Sequence, residues 1–187
     1  MMLAAYILLS FALGIETLLV VRSCAMQVPI RLTRGLAVSF LLAVIQTFML
    51  AAGILLGSRL QFRDADGAGL YDKVNGLVCL GLLVVLGLKL LPRRNKQTVR
   101  SFDISRWSTV TTLAFALGIN VLIAGLAMGF GYPVQLAKAC IPMGAVVFLC
   151  AYLGIMMGRQ NLAIRERRWS LFSVLFVLGA ALISALG

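Results

Sequence analysis

Histidine is absent from this chain of 187 residues, and acids are scarce: six Asp and Glu stand against seventeen Lys and Arg. Without His there is no imidazole to ligate a transition metal or to shuttle protons near neutral pH. Any metal would have to be held by oxygen, or weakly by Met sulfur. The four cysteines, Cys24, Cys79, Cys140 and Cys150, show no C-x-x-C spacing, and three of them lie in or beside apolar runs. They imply neither a disulfide framework nor a thiolate site, because Cys in such settings behaves as a small hydrophobe. There is no nucleotide-binding loop, no Ser or Cys with a His partner and no zinc spacing, so the chain is not expected to be an enzyme or to carry its own ATP motor. Charged residues make up only 12% of the chain and hydrophobic ones 61%, with a mean hydropathy of +1.02. Soluble chains run at roughly 45–50% apolar and about 25% charged, so a water-soluble domain is excluded and the solvent is largely lipid.

Apolar runs of spanning length occur at about residues 2–21, 35–57, 74–92, 109–131, 134–158 and 169–186. Hydrocarbon about 30 Å thick needs roughly 20 apolar residues per helical crossing. Backbone in lipid must also satisfy its hydrogen bonds internally. The expectation is an all-α membrane protein of six transmembrane helices in one domain over 1–187, with no separate soluble part. The first run lacks the positive n-region of a signal peptide, since no Lys or Arg precedes Arg22, and is expected to be a retained helix.

The formal charge of +11 could suggest nucleic acid. The basic residues, however, sit in short clusters between apolar runs with no aromatic interleaving, as topogenic charge does. Arg22, Arg31 and Arg34, then Arg93, Arg94, Lys96, Arg100 and Arg106, then Arg159, Arg165, Arg167 and Arg168 mark the first, third and fifth connections as cytoplasmic. Both termini are then expected outside.

An internal repeat sets the plan. Phe11-Ala12-Leu13-Gly14-Ile15 recurs letter for letter as Phe115-Ala116-Leu117-Gly118-Ile119, followed by Glu16 in one copy and Asn120 in the other. Gly53-Ile54-Leu55-Leu56-Gly57 is echoed by Gly154-Ile155-Met156-Met157-Gly158, and Val85-Leu86-Gly87 by Val177-Leu178-Gly179. The echoes keep their order, so helices 1–3 correspond to helices 4–6: repeat 1 at about 1–92, a cytoplasmic linker at about 93–107 and repeat 2 at about 108–187. Three is odd, so the second copy enters the bilayer from the opposite side. That makes the repeats inverted, a plan common among secondary transporters with a midplane site.

Glu16 is the one acid inside an apolar run. A carboxylate there costs at least about 2.5–3.5 kcal/mol on insertion scales, so it should face the bundle interior or a wet cavity. Gln46, near the middle of helix 2, and Asn120 fall at similar depths. The three are the candidate ion pathway and metal-binding residues, although each amide could equally be a plain interhelical hydrogen bond. Gly53/Gly57, Gly125/Gly129 and Gly154/Gly158 have the small-x-x-x-small spacing of close helix packing. Gly14 and Gly118, two residues before the polar positions, are candidates for packing or for a hinge. Pro142 could kink helix 5, Lys89 should reach the headgroups or pair with Glu16, and Met128, Met143, Met156 and Met157 read as filler.

Glu16 in its F-A-L-G-I-E setting, Gln46-Thr47 followed by Gly53 and Gly57, Leu86-Gly87-Leu88-Lys89, F-A-L-G-I-N at helix 4 and Leu153-Gly154-Ile155-Met156-Met157-Gly158-Arg159 together resemble the bacterial manganese efflux pump family (MntP-like). The resemblance spans nearly the whole chain. It implies six helices, a bacterial inner-membrane location and export of Mn2+ from the cytoplasm, with no permanently bound cofactor. It further implies intramembrane acids at the positions of Glu16, Gln46 and Asn120. This sequence keeps one acid and has amides at the other two. The partners expected are the lipid bilayer and a transported cation, with assembly state open, a homo-oligomer included. The expected function is cation export, with Mn2+ or another divalent metal as the candidate cargo; a small-solute exporter of the amino-acid type and a non-transporting scaffold are the alternatives.

Overall fold

A computed structural model describes the backbone of residues 2–27, 31–60, 70–90, 104, 106–131, 136–160 and 166–186. Most of the linker at 93–107 and the charges at Arg63, Asp64, Asp66, Arg93, Arg94, Lys96, Arg100 and Arg165 lie outside the described residues. The chain forms six α-helices: α1 (Met2–Ala25), α2 (Leu32–Leu60), α3 (Leu70–Leu90), α4 (Trp107–Gly131), α5 (Leu136–Arg159) and α6 (Glu166–Leu186). No strand occurs among the described residues. Most of the helices overrun the apolar stretches that predict them by a few residues, because the hydrogen-bonded ladder continues into flanks that carry Arg22, Arg59 and Arg159. α5 continues through Pro142 in its second turn.

Four helices are long and apolar enough to cross a membrane within the described residues: Tyr6–Ala25, Leu32–Leu60, Trp107–Phe130 and Leu136–Arg159. At 1.5 Å per residue, 24 residues reach about 36 Å, enough for the hydrocarbon layer. The exterior agrees. Phe40, Phe48, Leu77, Leu88, Ile141 and Leu175 are all more than half exposed. A surface so rich in large apolar side chains is stable against acyl chains and not against water.

The directions of the helices follow from which residues meet. Gly53 lies against Leu122 and Gly125, and Gly57 against Leu126 and Gly129, so α2 and α4 run parallel. Gly154 meets Leu18 and Gly158 meets Arg22 and Ala25, so α1 and α5 also run parallel. α2 and α5 are antiparallel, with Gly144 at Thr47 and Ile155 at Gly35. It follows that α1 and α4, the two helices with matching sequence, run in opposite directions. α6 is antiparallel to α1: Ser173 Oγ donates to the Ala12 carbonyl at 2.8 Å, Phe11 and Phe176 have ring centroids 6.3 Å apart, and Gly179 faces Leu8.

The principal helix neighbours are α2 with α4, α1 with α5, α1 with α6, α2 with α5, α3 with α4, and α3 with α6, while α1 and α4 touch only lightly. Exchanging α1 with α4, α2 with α5 and α3 with α6 leaves this set unchanged. Two four-helix rings, α1–α5–α2–α4 and α1–α6–α3–α4, therefore share the α1–α4 edge.

Glycine makes the tight crossings possible. A Cβ built on Gly53 would collide with the Leu122 carbonyl oxygen, and one on Gly57 would stand 2.5 Å from that of Leu126. One on Gly129 would stand 2.5 Å from the Ile54 carbonyl, so Gly125 and Gly129 of α4 are matched by Gly53 and Gly57 of α2. Without a hydrophobic drive between helices in lipid, such close backbone approach supplies the packing energy.

Candidate functional site

Most buried hydroxyls in the bundle answer to their own helix. Ser10 donates to the Tyr6 carbonyl at 2.8 Å and Ser39 to that of Gly35 at 2.9 Å, the local back-bonding that removes a polar group from play. The buried amides are different, because their donors and acceptors must find partners on other helices.

Glu16 and Asn120 meet. Asn120 Nδ2 donates to Glu16 Oε1 at 2.7 Å across the light α1–α4 contact. The two positions are equivalent in the sequence repeat, and the antiparallel course of α1 and α4 brings them together. Glu16 lies 14 residues after the start of α1 and Asn120 lies 11 before the end of α4, about 21 Å and 16 Å along the two axes. Neither is near a helix end. Glu16 is partly exposed, whereas Asn120 is buried at 6%.

The Asn120 amide turns its NH2 group toward the Glu16 carboxyl oxygen, which accepts the hydrogen bond. The carbonyl oxygen Oδ1 is thereby left over. It is buried and receives no hydrogen bond from the described residues. Buried acceptors without partners are uncommon and mark strain, function, or a place for water or an ion.

Gln46 is fully buried and pairs with a residue the sequence reading passed over, Thr17. Gln46 Nε2 stands 3.1 Å from Thr17 Oγ1, and Gln46 Oε1 stands 3.3 Å from it. The hydroxyl also points at the Leu13 carbonyl, 3.0 Å away. Having one proton, it gives that either to Leu13 or to Gln46 while accepting from the amide. Thr17 follows Glu16 in sequence, so α1 makes both polar contacts, Glu16 with Asn120 of α4 and Thr17 with Gln46 of α2. The only hint of Thr17 in the sequence is a hydroxyl beside the lone acid.

The centre is lopsided. In the second repeat the positions of Thr17 and Gln46 are held by Val121 and Val147, both buried and apolar. Half of the site is polar and its counterpart is apolar.

Gly14 lies against Val146 and Cys150 of α5, and Gly118 against Met49 of α2; both helices run unbroken through these points. Lys89 is exposed at the end of α3, while Arg22 is buried in the last turn of α1. Met128 and Met143 belong to the apolar core. No group of three or more His, Cys, Asp or Glu side chains assembles among the described residues. An apolar groove of about 690 Å³ between α2 and α5 is lined by Phe40, Val44, Thr47, Phe48 and Phe148. It contains neither Glu16 nor Asn120, and its exposed Phe40 and Phe48 put it on the outer surface.

Comparison with known proteins gives the family. Residues 29–183 match the family model Mntp, described as "Putative manganese efflux pump". The chain belongs to that family. No curated protein and no solved structure matches it. Within the Mntp span lie Gln46, Asn120 and the glycine crossings of α2 with α4; α1, with Glu16 and Thr17, precedes it. Mntp membership together with the apolar helices makes the chain a multi-pass membrane protein of a transporter family rather than of an enzyme class.

Proposed function

We propose that this protein is a secondary transporter that exports a cation from the cytoplasm, with Glu16 and Asn120 as its ion-binding centre and Gln46 beside them. The observation that carries the proposal is the 2.7 Å contact of Asn120 Nδ2 with Glu16 Oε1, between helices of opposite direction. An acid deep in lipid is costly to keep. A structural tie between α1 and α4 needs no charge, since two amides would serve. A site that loads and releases a positive ion needs one.

Two inverted three-helix repeats in the bilayer are part of this reading. It draws support from the opposed directions of α1 and α4 and from the unchanged neighbour set on exchanging the halves. Alternating exposure would arise by rocking one repeat against the other about the light α1–α4 contact. Gly14 and Gly118, packed on α5 and α2 beside that contact, would let these pairs move as bodies. In a bacterial inner membrane the basic connections would face the cytoplasm and both termini the outside. The energy would come from an ion gradient or the membrane potential.

The test is uptake of a panel of mono- and divalent cations into liposomes that contain the full-length protein. Some cation should enter faster than into protein-free liposomes, and Glu16→Gln should abolish that flux while leaving the unfolding temperature within a few degrees. Loss of an amino acid or an organic cation from loaded liposomes, with no metal response, would favour a small-solute exporter instead. An absence of any flux, with partner function intact after all three polar residues are made apolar, would leave a scaffold.

A further inference from the structure

Resting on the transport reading above, we infer that the cargo is a singly charged cation held by oxygen, of the alkali type, and not a divalent metal. Glu16, Thr17, Gln46 and Asn120 carry one formal negative charge between them, that of Glu16. The desolvation cost of an ion rises with the square of its charge, whereas its attraction to a single carboxylate rises only in proportion. A singly charged ion leaves the loaded centre neutral. A divalent one leaves a surplus positive charge deep in lipid, with no cluster of further acids among the described residues to offset it.

The remaining donors fit the same cargo. Asn120 Oδ1 is buried and without a hydrogen bond, on the amide that already holds Glu16. An incoming cation supplies the one thing this oxygen lacks, and it does so beside the carboxylate. Thr17 Oγ1 and Gln46 Oε1, 3.3 Å apart, are two further neutral oxygens, one on the next residue of α1 and one on α2. Neutral carbonyl and hydroxyl oxygens replace the water shell of an alkali ion well, as rings of carbonyls do in potassium-selective pores. They do not replace the more tightly held shell of a small divalent ion. The Val121 and Val147 counterparts contribute no oxygen, so the donor set is small and one-sided.

The experiment is a competition between cargoes in liposomes carrying the full chain, with radioactive sodium, rubidium and manganese supplied in turn under an imposed potential. Sodium or rubidium should enter above the protein-free level and manganese should not, and Glu16→Gln should abolish the alkali flux. Asn120→Asp places a second carboxylate beside the first and should lower the alkali-to-manganese flux ratio by about tenfold or more. Should that variant fold poorly, the wild type still answers: sodium or rubidium chloride should raise its unfolding temperature in detergent at matched ionic strength, and manganese should raise it less. Faster entry of manganese than of either alkali ion into wild-type liposomes overturns this inference and leaves cation transport standing. An alkali flux that survives in a well-folded Glu16→Gln protein overturns it too, since the centre would then lie elsewhere. No cation flux at all defeats the transport reading itself.

Discussion

At the scale of single residues, Glu16 and Asn120 were legible and Thr17 was not. The repeat set an acid and an amide at matching positions, and the two side chains meet between the opposed helices α1 and α4. Thr17 carries no such mark: nothing in a lone hydroxyl within an apolar run says that a glutamine 29 residues away will turn to it. The pairing yields a sharp energetic expectation. Thr17→Val strands the fully buried Gln46 amide and should cost about 1–3 kcal/mol, the desolvation penalty of an unpaired buried group. Gln46→Val alone leaves Thr17 its bond to Leu13 and should cost less. The double variant Thr17→Val/Gln46→Val should recover most of the loss from Thr17→Val, because the second repeat already carries Val121 and Val147 there. Denaturant unfolding in detergent, read as a double-mutant cycle, measures the coupling.

At the scale of helices, composition and run length located all six, and the small-x-x-x-small pairs announced tight crossings. Which glycine would face which required the three-dimensional arrangement. Gly53 and Gly57 meet a glycine pair on α4, whereas Gly154 and Gly158 meet Leu18, Arg22 and Ala25 on α1. The α2–α4 seam thus sets glycine against glycine, whereas the α1–α5 seam sets glycine against larger residues. Gly53→Leu or Gly125→Val forces a side chain into the opposing backbone, and should destabilise by about 1–3 kcal/mol or more as overpacking does. Gly76 and Gly81 on α3 have open space around the Cβ position. Their replacement by Ala should be neutral or stabilising by up to about 1 kcal/mol, since only helix propensity changes. Thermal unfolding monitored by circular dichroism separates the two groups of variants.

At the scale of the whole molecule, an apolar core holding a few buried polar side chains is enclosed by a surface that is itself apolar, with phenylalanine and leucine outward. Orientation in the bilayer was read from charge alone, because the connections that carry most of it lie outside the described residues. The expectation is specific. Epitope tags at both termini should be removed by protease added outside intact spheroplasts, while a tag inserted in the 93–107 linker should survive until the membrane is opened. In the proposed plan of two inverted repeats, each half contributes one helix, α1 or α4, to the edge at which Glu16 meets Asn120.

The account turns on whether the Glu16 carboxylate itself takes up a cation. Infrared difference spectroscopy of the purified protein in lipid, recorded as alkali salt or manganese salt is added, reads this directly from the carboxylate stretching bands. A band that shifts on cation addition in the wild type and is missing in Glu16→Gln is the predicted result. Spectra that are the same in both proteins for every cation tried would contradict it, and would leave Glu16 and Asn120 as no more than a polar fastening between α1 and α4.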